Sequence, residues 1–165
     1  MKPKVVTLKV NGREHYVALK PNVTLLQALR DLGYTDVKNG CEKGDCGACT
    51  VLLNGRAVNS CLVLAWQADE AEVITDAGLG TMDHPHPLQE AFADTGAVQC
   101  GYCTPGMIVA AKALLDRNPN PTEDEIREAI AGNLCRCTGY DQIVEAIERV
   151  SERAREGNDV RRVGS

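Results

Sequence analysis

The sequence has few aromatic residues: one Trp, four Tyr and one Phe in 165 residues. A core must therefore be built mainly from Leu, Val, Ile and Ala, and this is feasible because hydrophobic residues make up 44% of the chain. The sequence also lacks an apolar run near the roughly 18 residues of a membrane-spanning helix, and its N-terminus lacks the apolar stretch of a secretion signal. These absences predict a protein without a membrane span that resides in the cytoplasm.

Positive charge is scarce as well, since 18 Lys and Arg stand against 23 Asp and Glu and the formal net charge is −5. A chain with this balance and no long basic stretch is not expected to bind nucleic acid. The patterns Gly-x-Gly-x-x-Gly and Gly-x4-Gly-Lys-Ser/Thr are missing, which argues against flavin, nicotinamide or ATP binding by this chain alone. No nucleophile and base pairing stands out either, so the chemistry has to rest on other residues.

Cysteine is the unusual residue, with eight copies in a chain expected in the cytoplasm, where structural disulfides are rare. The cysteines form two sets of four and none is left over. The first set has the spacing Cys-x4-Cys-x2-Cys-x11-Cys and consists of Cys41, Cys46, Cys49 and Cys61. This is the spacing of a plant-type [2Fe–2S] site, with a three-cysteine loop and a distant fourth ligand. It is not a usual zinc spacing.

The second set has the spacing Cys-x2-Cys-x31-Cys-x-Cys and consists of Cys100, Cys103, Cys135 and Cys137. Four thiolates in two close pairs are enough for a second [2Fe–2S] cluster. Pairs of the Cys-x2-Cys type are also common in zinc ribbons, so spacing alone leaves zinc open for this set. Rieske ligation would need two histidines. The three available lie outside the cysteine spacings and are predicted to be surface residues: His15, His84 and His86.

Two Asn-Gly dipeptides divide the first half of the chain into hairpins, because both residues of this dipeptide readily adopt positive φ. A helix capped by Thr24 and closed by Gly33 separates the two hairpins. The strand-like runs are 5–10, 13–19, 50–53, 56–58 and 73–75. This order predicts an α+β unit over residues 1–76 that resembles the β-grasp fold of plant-type ferredoxins.

The second half is predicted to be helical, after a linker at 77–86 that is rich in turn-forming residues. Four helices are expected within 87–153, as a four-helix bundle, with a flexible tail at 154–165. Thr104 and Thr138 are predicted to cap the helices that follow the two cysteine pairs. Each pair then lies between two helices. Two such units could pack with their loops at one end, which would bring the second set of cysteines together.

Three motifs carry a resemblance to a known family. The segment 40–51, Gly-Cys-Glu-Lys-Gly-Asp-Cys-Gly-Ala-Cys-Thr-Val, is similar to the N-terminal cluster loop of molybdenum hydroxylases. Segments 99–106, Gln-Cys-Gly-Tyr-Cys-Thr-Pro-Gly, and 132–140, Gly-Asn-Leu-Cys-Arg-Cys-Thr-Gly-Tyr, match the second cluster of that family. Over roughly residues 4–150 the chain resembles the small iron–sulfur subunit of the xanthine dehydrogenase and aldehyde oxidoreductase family. The residues flanking the second set thus favour iron over zinc.

This resemblance implies an electron-transfer subunit of a molybdopterin-dependent oxidoreductase. Its partners would be a large molybdopterin subunit and a medium FAD subunit, in a heterotrimer or a dimer of it. Electrons would pass from molybdopterin through the second-set cluster and then the first-set cluster to FAD. By the same resemblance, Cys137 contacts the pterin amino group and Gln99 lies against the pterin. Two other functions remain open: a free two-cluster ferredoxin and a zinc-stabilised interaction module.

Overall fold

The computed structural model describes residues 2–155, which form a mixed α+β structure with one five-stranded sheet. The strands are β1 (Lys4–Val10), β2 (Arg13–Leu19), β3 (Thr50–Leu53), β4 (Arg56–Asn59) and β5 (Glu72–Ile74). Their order across the sheet is β2-β1-β5-β3-β4. Neighbouring strands are antiparallel except for β1 and β5, which are parallel.

Both predicted hairpins are present, and their turns have the backbone geometry that Asn-Gly favours. In the β1–β2 turn, φ is 49° at Asn11 and 77° at Gly12. In the β3–β4 turn, φ is 48° at Asn54 and 77° at Gly55. Positive φ at both central residues matches the twist of the flanking strands, which is why the two turns hold their strands in register.

The first core lies between the sheet and helix α1 (Leu25–Asp31). The Thr24 side chain accepts a hydrogen bond from the N–H of Gln27 at 3.2 Å, so the predicted cap is confirmed. Leu25 and Leu29 of the helix and Leu8 of strand β1 are fully buried in this same core. Full burial of one such side chain stabilises the fold by about 1.5–3 kcal/mol.

Four helices follow in the second half: α2 (Pro87–Asp94), α3 (Thr104–Arg117), α4 (Glu123–Ile130) and α5 (Asp141–Arg155). Helix α2 packs on α3 and α5, and α4 packs on the same two helices. Their shared core includes Phe92, Met107 and Ile147. Helix α5 continues through Arg155, two residues into the predicted tail, and the rest of that tail lies outside the described residues. No helix within residues 2–155 is both long enough and apolar enough to cross a membrane.

The segment predicted as a linker is anchored at two buried residues, Leu79 and His86, whereas residues 81–85 between them are exposed. His86 is only 3% exposed, so its prediction as a surface residue is wrong. It caps α2, because its Nδ1 accepts a hydrogen bond from the N–H of Leu88 at 3.2 Å. Its Nε2 is buried without a partner. Burial, followed by the nearby Lys112 ammonium, lowers the pKa of His86 to about 4.

Helix α3 joins the two halves, because one of its faces covers the side of the sheet opposite α1. Val109 and Ala113 on this helix pack against Leu52 of strand β3. The cysteine-bearing loops of both halves meet next to this contact, and the fold thereby brings segments far apart in sequence to one place.

Candidate metal centres

The first cysteine set lies on the loop between α1 and β3, and Cys61 approaches it from the turn after β4. The thiols come together in pairs: Cys41 interacts with Cys46, and Cys49 interacts with Cys61. The pair of Cys49 and Cys61 is buried, whereas the pair of Cys41 and Cys46 is half-buried. The four cysteines predicted from spacing are thus neighbours in the structure.

Backbone N–H groups surround these thiols. The N–H of Lys43 donates to Cys41 Sγ at 3.4 Å and, as the main cause, lowers the pKa of Cys41 to about 7. The N–H of Gly44, where φ is 84°, is directed at Cys61. Burial, followed by the Cys49 thiol, nevertheless raises the pKa of Cys61 to about 11. The loop therefore offers both thiols and the donors that an anionic cluster requires.

The second cysteine set lies on two loops, one between α2 and α3 and the other between α4 and α5. Its thiols also form pairs, Cys100 with Cys137 and Cys103 with Cys135. All four line a cavity of about 190 Å³. The first pair is exposed and the second is half-buried. Burial, followed by the Cys135 thiol, raises the pKa of Cys103 to about 12.

The pairwise arrangement has a chemical consequence. A single tetrahedral zinc requires four ligands around one ion, whereas a [2Fe–2S] cluster divides its four thiolates between two irons. Thiols that come together two by two suit the second arrangement.

Neither of the two threonines that were predicted as helix caps is at an N-cap position. Helix α3 begins at Thr104 itself, and the residue at its N-cap is Cys103. Helix α5 begins only at Asp141, because Thr138 is engaged with the cysteine loop. Both predictions are wrong: Cys103 takes the N-cap position of α3, and the side chain of Thr138 donates to a thiol.

Thr138 donates twice to one thiol. Its backbone N–H lies 3.4 Å and its Oγ1 lies 3.2 Å from Cys135 Sγ. Burial raises the pKa of Cys135, but the hydrogen bonds, led by those from Thr138, hold it below its usual value. The side chain of Thr138 is therefore a direct donor to a candidate ligand.

The two cysteine sets are in direct contact through the backbone. The N–H of Leu134, next to Cys135 in sequence, donates to the carbonyl of Cys46 at 2.9 Å. The buried Asn133 side chain donates to the Gly47 carbonyl at 2.9 Å and to Thr50 Oγ1 at 3.2 Å. Cys46 also lines the cavity of the second set. A candidate ligand of one site is thus hydrogen-bonded to the residue beside a candidate ligand of the other.

Glycines make this approach possible. A Cβ atom on Gly106 of helix α3 would lie 2.4 Å from the Gly47 carbonyl oxygen. A Cβ atom on Gly47, where φ is 66°, would lie 2.4 Å from the Gly132 carbonyl oxygen. Only glycine permits backbone-to-backbone contact at these distances.

The predicted pterin-contacting residues lie together at the surface. The side chain of Gln99 is exposed next to Cys100, and Cys137, which pairs with Cys100, is exposed too. Three large apolar side chains around them are 40–55% exposed: Val98, Tyr102 and Leu134. The exposed cysteine pair therefore sits in an apolar surround.

Sequence reasoning missed Asn133 and Tyr140 as parts of the site, although both lie inside a quoted motif. Asn133 is 5% exposed, which is unusual for a polar residue and shows that it serves an internal contact. Tyr140 has a φ of 71°, a conformation that residues with side chains seldom adopt. Neither property can be read from residue type or spacing.

Two family models match the chain. The model described as a 2Fe-2S iron-sulfur cluster binding domain matches residues 8–79, and the model described as a [2Fe-2S] binding domain matches residues 75–148. The nicotinate dehydrogenase small FeS subunit of Eubacterium barkeri is 53% identical over 149 residues, which are 90% of this chain and 95% of that relative. The chain belongs to the family of small iron–sulfur subunits of xanthine dehydrogenase and aldehyde oxidoreductase. The resemblance of its motifs to this family is thereby confirmed.

Solved structures of this family have the same fold. Quinoline 2-oxidoreductase from Pseudomonas putida 86 matches with a TM-score of 0.89 and 41% identity, over 96% of this chain and all (100%) of that chain. Aldehyde oxidoreductase from Desulfovibrio desulfuricans ATCC 27774 matches with a TM-score of 0.88 and 44% identity, over 96% of this chain but only 18% of that chain. The family thus includes both separate small subunits and domains of longer polypeptides.

Proposed function

We propose that the chain is the electron-transfer subunit of a cytoplasmic molybdenum hydroxylase. It would relay electrons from a molybdopterin on a large partner subunit, through two [2Fe–2S] sites, to FAD on a medium partner subunit. The assembly would be a heterotrimer or a dimer of heterotrimers. The family membership supports this function, and the contact between the two cysteine sets is the observation that carries it.

The thiol pairs support an assignment of the ligands to the irons of the two clusters. One iron of the first site would be held by Cys41 and Cys46, and the other by Cys49 and Cys61. In the second site the pairs would be Cys100 with Cys137 and Cys103 with Cys135. Bound clusters of this kind accept and donate single electrons, and N–H and O–H donors to the thiolates set their reduction potentials. The donors from Lys43, Gly44 and Thr138 fit that requirement.

The two sites are proposed to belong to two domains. A ferredoxin-like β-grasp domain would cover residues 1–76 and a four-helix bundle would cover 87–153, with residues 77–86 as the connection. The separate cores of the sheet and of the helices support this division. The two family models meet at residues 75–79, next to the proposed boundary.

The hydrogen bond between the Leu134 N–H and the Cys46 carbonyl gives the relay its middle step. It completes a path of side-chain and backbone bonds from one candidate ligand, Cys46, to another, Cys135. An electron crossing between the sites therefore meets protein bonds rather than a layer of solvent. A chain that held two unrelated metal sites would have no need for this contact.

The exposure of the thiols supports the proposed direction of the relay. The pair of Cys100 and Cys137, with Gln99 beside it and an apolar surround, is suited to dock against the molybdopterin subunit, with Cys137 and Gln99 next to the pterin. Near the first site, a groove of about 430 Å³ is lined by polar residues of α1 and by Cys61. This groove is proposed to face the FAD subunit.

Purification of the chain from its native host tests this function against the alternatives. We expect a molybdoprotein and a flavoprotein to co-purify, with about four irons and four acid-labile sulfides per chain. A chain that purifies alone with this iron content would instead be a free two-cluster ferredoxin. Stoichiometric zinc in place of iron would make it a zinc-stabilised interaction module.

The substrate would be bound by the large subunit, so it has to be found with the intact complex. Relatives of this chain are subunits named for nicotinate dehydrogenase and nicotine 6-hydroxylase. A nitrogen-containing aromatic ring is therefore the first class to test, and xanthine and aldehydes complete the panel. The measured quantity is reduction of the FAD and iron–sulfur absorption on addition of each compound.

A further inference from the structure

We propose that Tyr140 is a positioning residue that sets the electronic coupling between the two cysteine sites. Its hydroxyl group forms hydrogen bonds with the peptide groups on both sides of Leu134. These bonds orient the Leu134 N–H towards the Cys46 carbonyl. This inference rests on the proposed relay function and adds a residue that is neither a ligand nor a contact of any partner cofactor.

The first observation is the backbone of Tyr140. Its φ of 71° lies in the left-handed region, which is unfavourable for a residue with a bulky side chain. Here the left-handed turn places the residue just before α5 with its ring folded back towards the loop of residues 133–135. Three kinds of contact hold this conformation. The Tyr140 N–H donates to Thr138 Oγ1 at 3.3 Å, the side chain packs against the helical core, and the hydroxyl group bonds to the loop of residues 133–135.

The second observation is the pair of hydrogen bonds at this hydroxyl. The Tyr140 hydroxyl oxygen accepts from the N–H of Cys135 at 2.8 Å. The same hydroxyl donates to the carbonyl of Asn133 at 3.2 Å. One phenol group thus holds the peptide group before Leu134 and the peptide group after it, and the orientation of both is fixed.

The third observation is the orientation of the Leu134 N–H, which lies between the two peptide atoms hydrogen-bonded to Tyr140. The Leu134 N–H belongs to the Asn133–Leu134 peptide, whose carbonyl Tyr140 holds, and it points to Cys46 O at 2.9 Å. In a trans peptide the N–H and the C=O point in opposite directions. Fixing the carbonyl on one side therefore fixes the N–H on the other.

The far end of the contact is fixed as well. The Asn133 side chain reaches across to the Gly47 carbonyl and to Thr50 Oγ1, and so holds the loop that carries Cys46. Tyr140 and the Asn133 side chain therefore hold the contact from its two ends. Loss of the Tyr140 hydroxyl should loosen the hydrogen bond from the Leu134 N–H to the Cys46 carbonyl.

The test compares Tyr140→Phe with the wild type in the intact complex. The variant keeps the ring and loses only the hydroxyl. Tyr34→Phe is the matched control, because Tyr34 also uses its hydroxyl twice, with His15 Nε2 at 2.8 Å and Val10 O at 3.4 Å, and its contacts involve no cysteine. The two readouts are electron exchange between the clusters, followed by rapid-freeze EPR, and amide hydrogen exchange over residues 133–135.

We expect all three proteins to keep both clusters. In Tyr140→Phe, electron exchange between the clusters should slow several-fold and the amides of residues 133–135 should exchange faster, while Tyr34→Phe should match the wild type in both. An unchanged rate of electron exchange in Tyr140→Phe would overturn the inference and leave the proposed function standing. A wild-type chain that purifies without molybdenum and flavin partners would instead overturn the proposed function.

A second variant covers the case in which Tyr140→Phe loses iron from the second site. Asn133→Ser removes the hydrogen bonds at the other end of the same contact and leaves the hydrogen bonds of the Tyr140 hydroxyl in place. The inference then predicts slower electron exchange in Asn133→Ser. A wild-type rate in this variant would contradict the role assigned to the contact.

Discussion

At the scale of single residues, the site depends on donors as much as on thiols. Thr138 is informative because a pattern of helix caps predicted one role and the structure assigns another. Its hydroxyl and its N–H both donate to Cys135 Sγ, and α5 starts three residues later, at Asp141. A hydrogen bond to a ligand thiolate stabilises the more negative, reduced form of a cluster.

Removal of the Thr138 hydroxyl should therefore lower the reduction potential of the second cluster. Thr138→Val keeps the shape of the side chain and the backbone N–H, but it deletes one donor to Cys135 Sγ together with the oxygen that accepts from the Tyr140 N–H. We expect a decrease on the order of tens of millivolts, on a scale where 59 mV is a tenfold change for one electron. Redox titration followed by EPR measures it. Thr138→Ser retains a hydroxyl and is the control; an equal decrease in both variants would contradict the assignment.

The pairing of the thiols gives a second prediction at this scale. Cys137→Ser should abolish the second cluster, with loss of about half of the iron, and in the proposed complex it should stop electrons from leaving molybdenum. The EPR spectrum of the first cluster should remain. Cys46→Ser is the mirror experiment and should remove the first cluster instead. Loss of both clusters in Cys137→Ser would show that the two sites do not assemble independently.

At the scale of elements, helix α2 depends on a buried histidine. His86 caps the helix in its neutral form, since Nδ1 accepts from the Leu88 N–H. Burial then lowers its pKa to about 4, below the value of roughly 6.5 expected in the unfolded chain. Between these two values the unfolded state binds a proton that the folded state does not bind, so stability falls as pH falls.

Acid should accordingly destabilise the protein through His86. When the pH is lowered from 7 to 5, we expect the titration of this residue to lower the free energy of unfolding by about 2 kcal/mol. His86→Asn keeps a good capping group but cannot titrate, and it should remove that part of the pH dependence. Thermal melting of both proteins at the two pH values provides the measurement. An identical loss of stability in His86→Asn would show that other groups cause it.

At the scale of the whole molecule, the two halves are joined by backbone contacts that only glycine permits. Gly106 on α3 lies against the Gly47 carbonyl of the first cysteine loop. Helix α3 also covers the second face of the sheet through Val109 and Ala113. The distance between the two cysteine sites is therefore set by the packing of α3 and not by a flexible connection.

Gly106→Ala should separate the halves slightly. Alanine favours a helix over glycine by about 1 kcal/mol, yet its Cβ would meet the Gly47 oxygen at 2.4 Å. We expect this overpacking to lower the free energy of unfolding by roughly 1–3 kcal/mol in net terms. The magnetic interaction between the reduced clusters should also become weaker. Gly139→Ala, where a Cβ has open space and φ is not positive, is the control. A variant of Gly106 as stable as the wild type would contradict the tight contact.

Much of the secondary structure could be predicted from the sequence, because it depends on residues that are close together in the chain. The two Asn-Gly turns, the Thr24 cap and the positions of four later helices follow from short-range backbone preferences, and the structure has all of them. The two cysteine sets and the family could also be predicted from the sequence, because the cysteine spacings and the residues beside them form short motifs.

The tertiary structure decided what depends on residues that are distant in sequence. Three features exist only once the loops are in place. His86 is buried, and Thr138 donates to a thiol instead of capping a helix. Asn133 and Tyr140 hold the contact between the two cysteine sites. The hydrogen bond from Leu134 to Cys46 joins segments almost ninety residues apart. No periodicity or spacing encodes such a contact, because it exists only after α3 has packed both halves together.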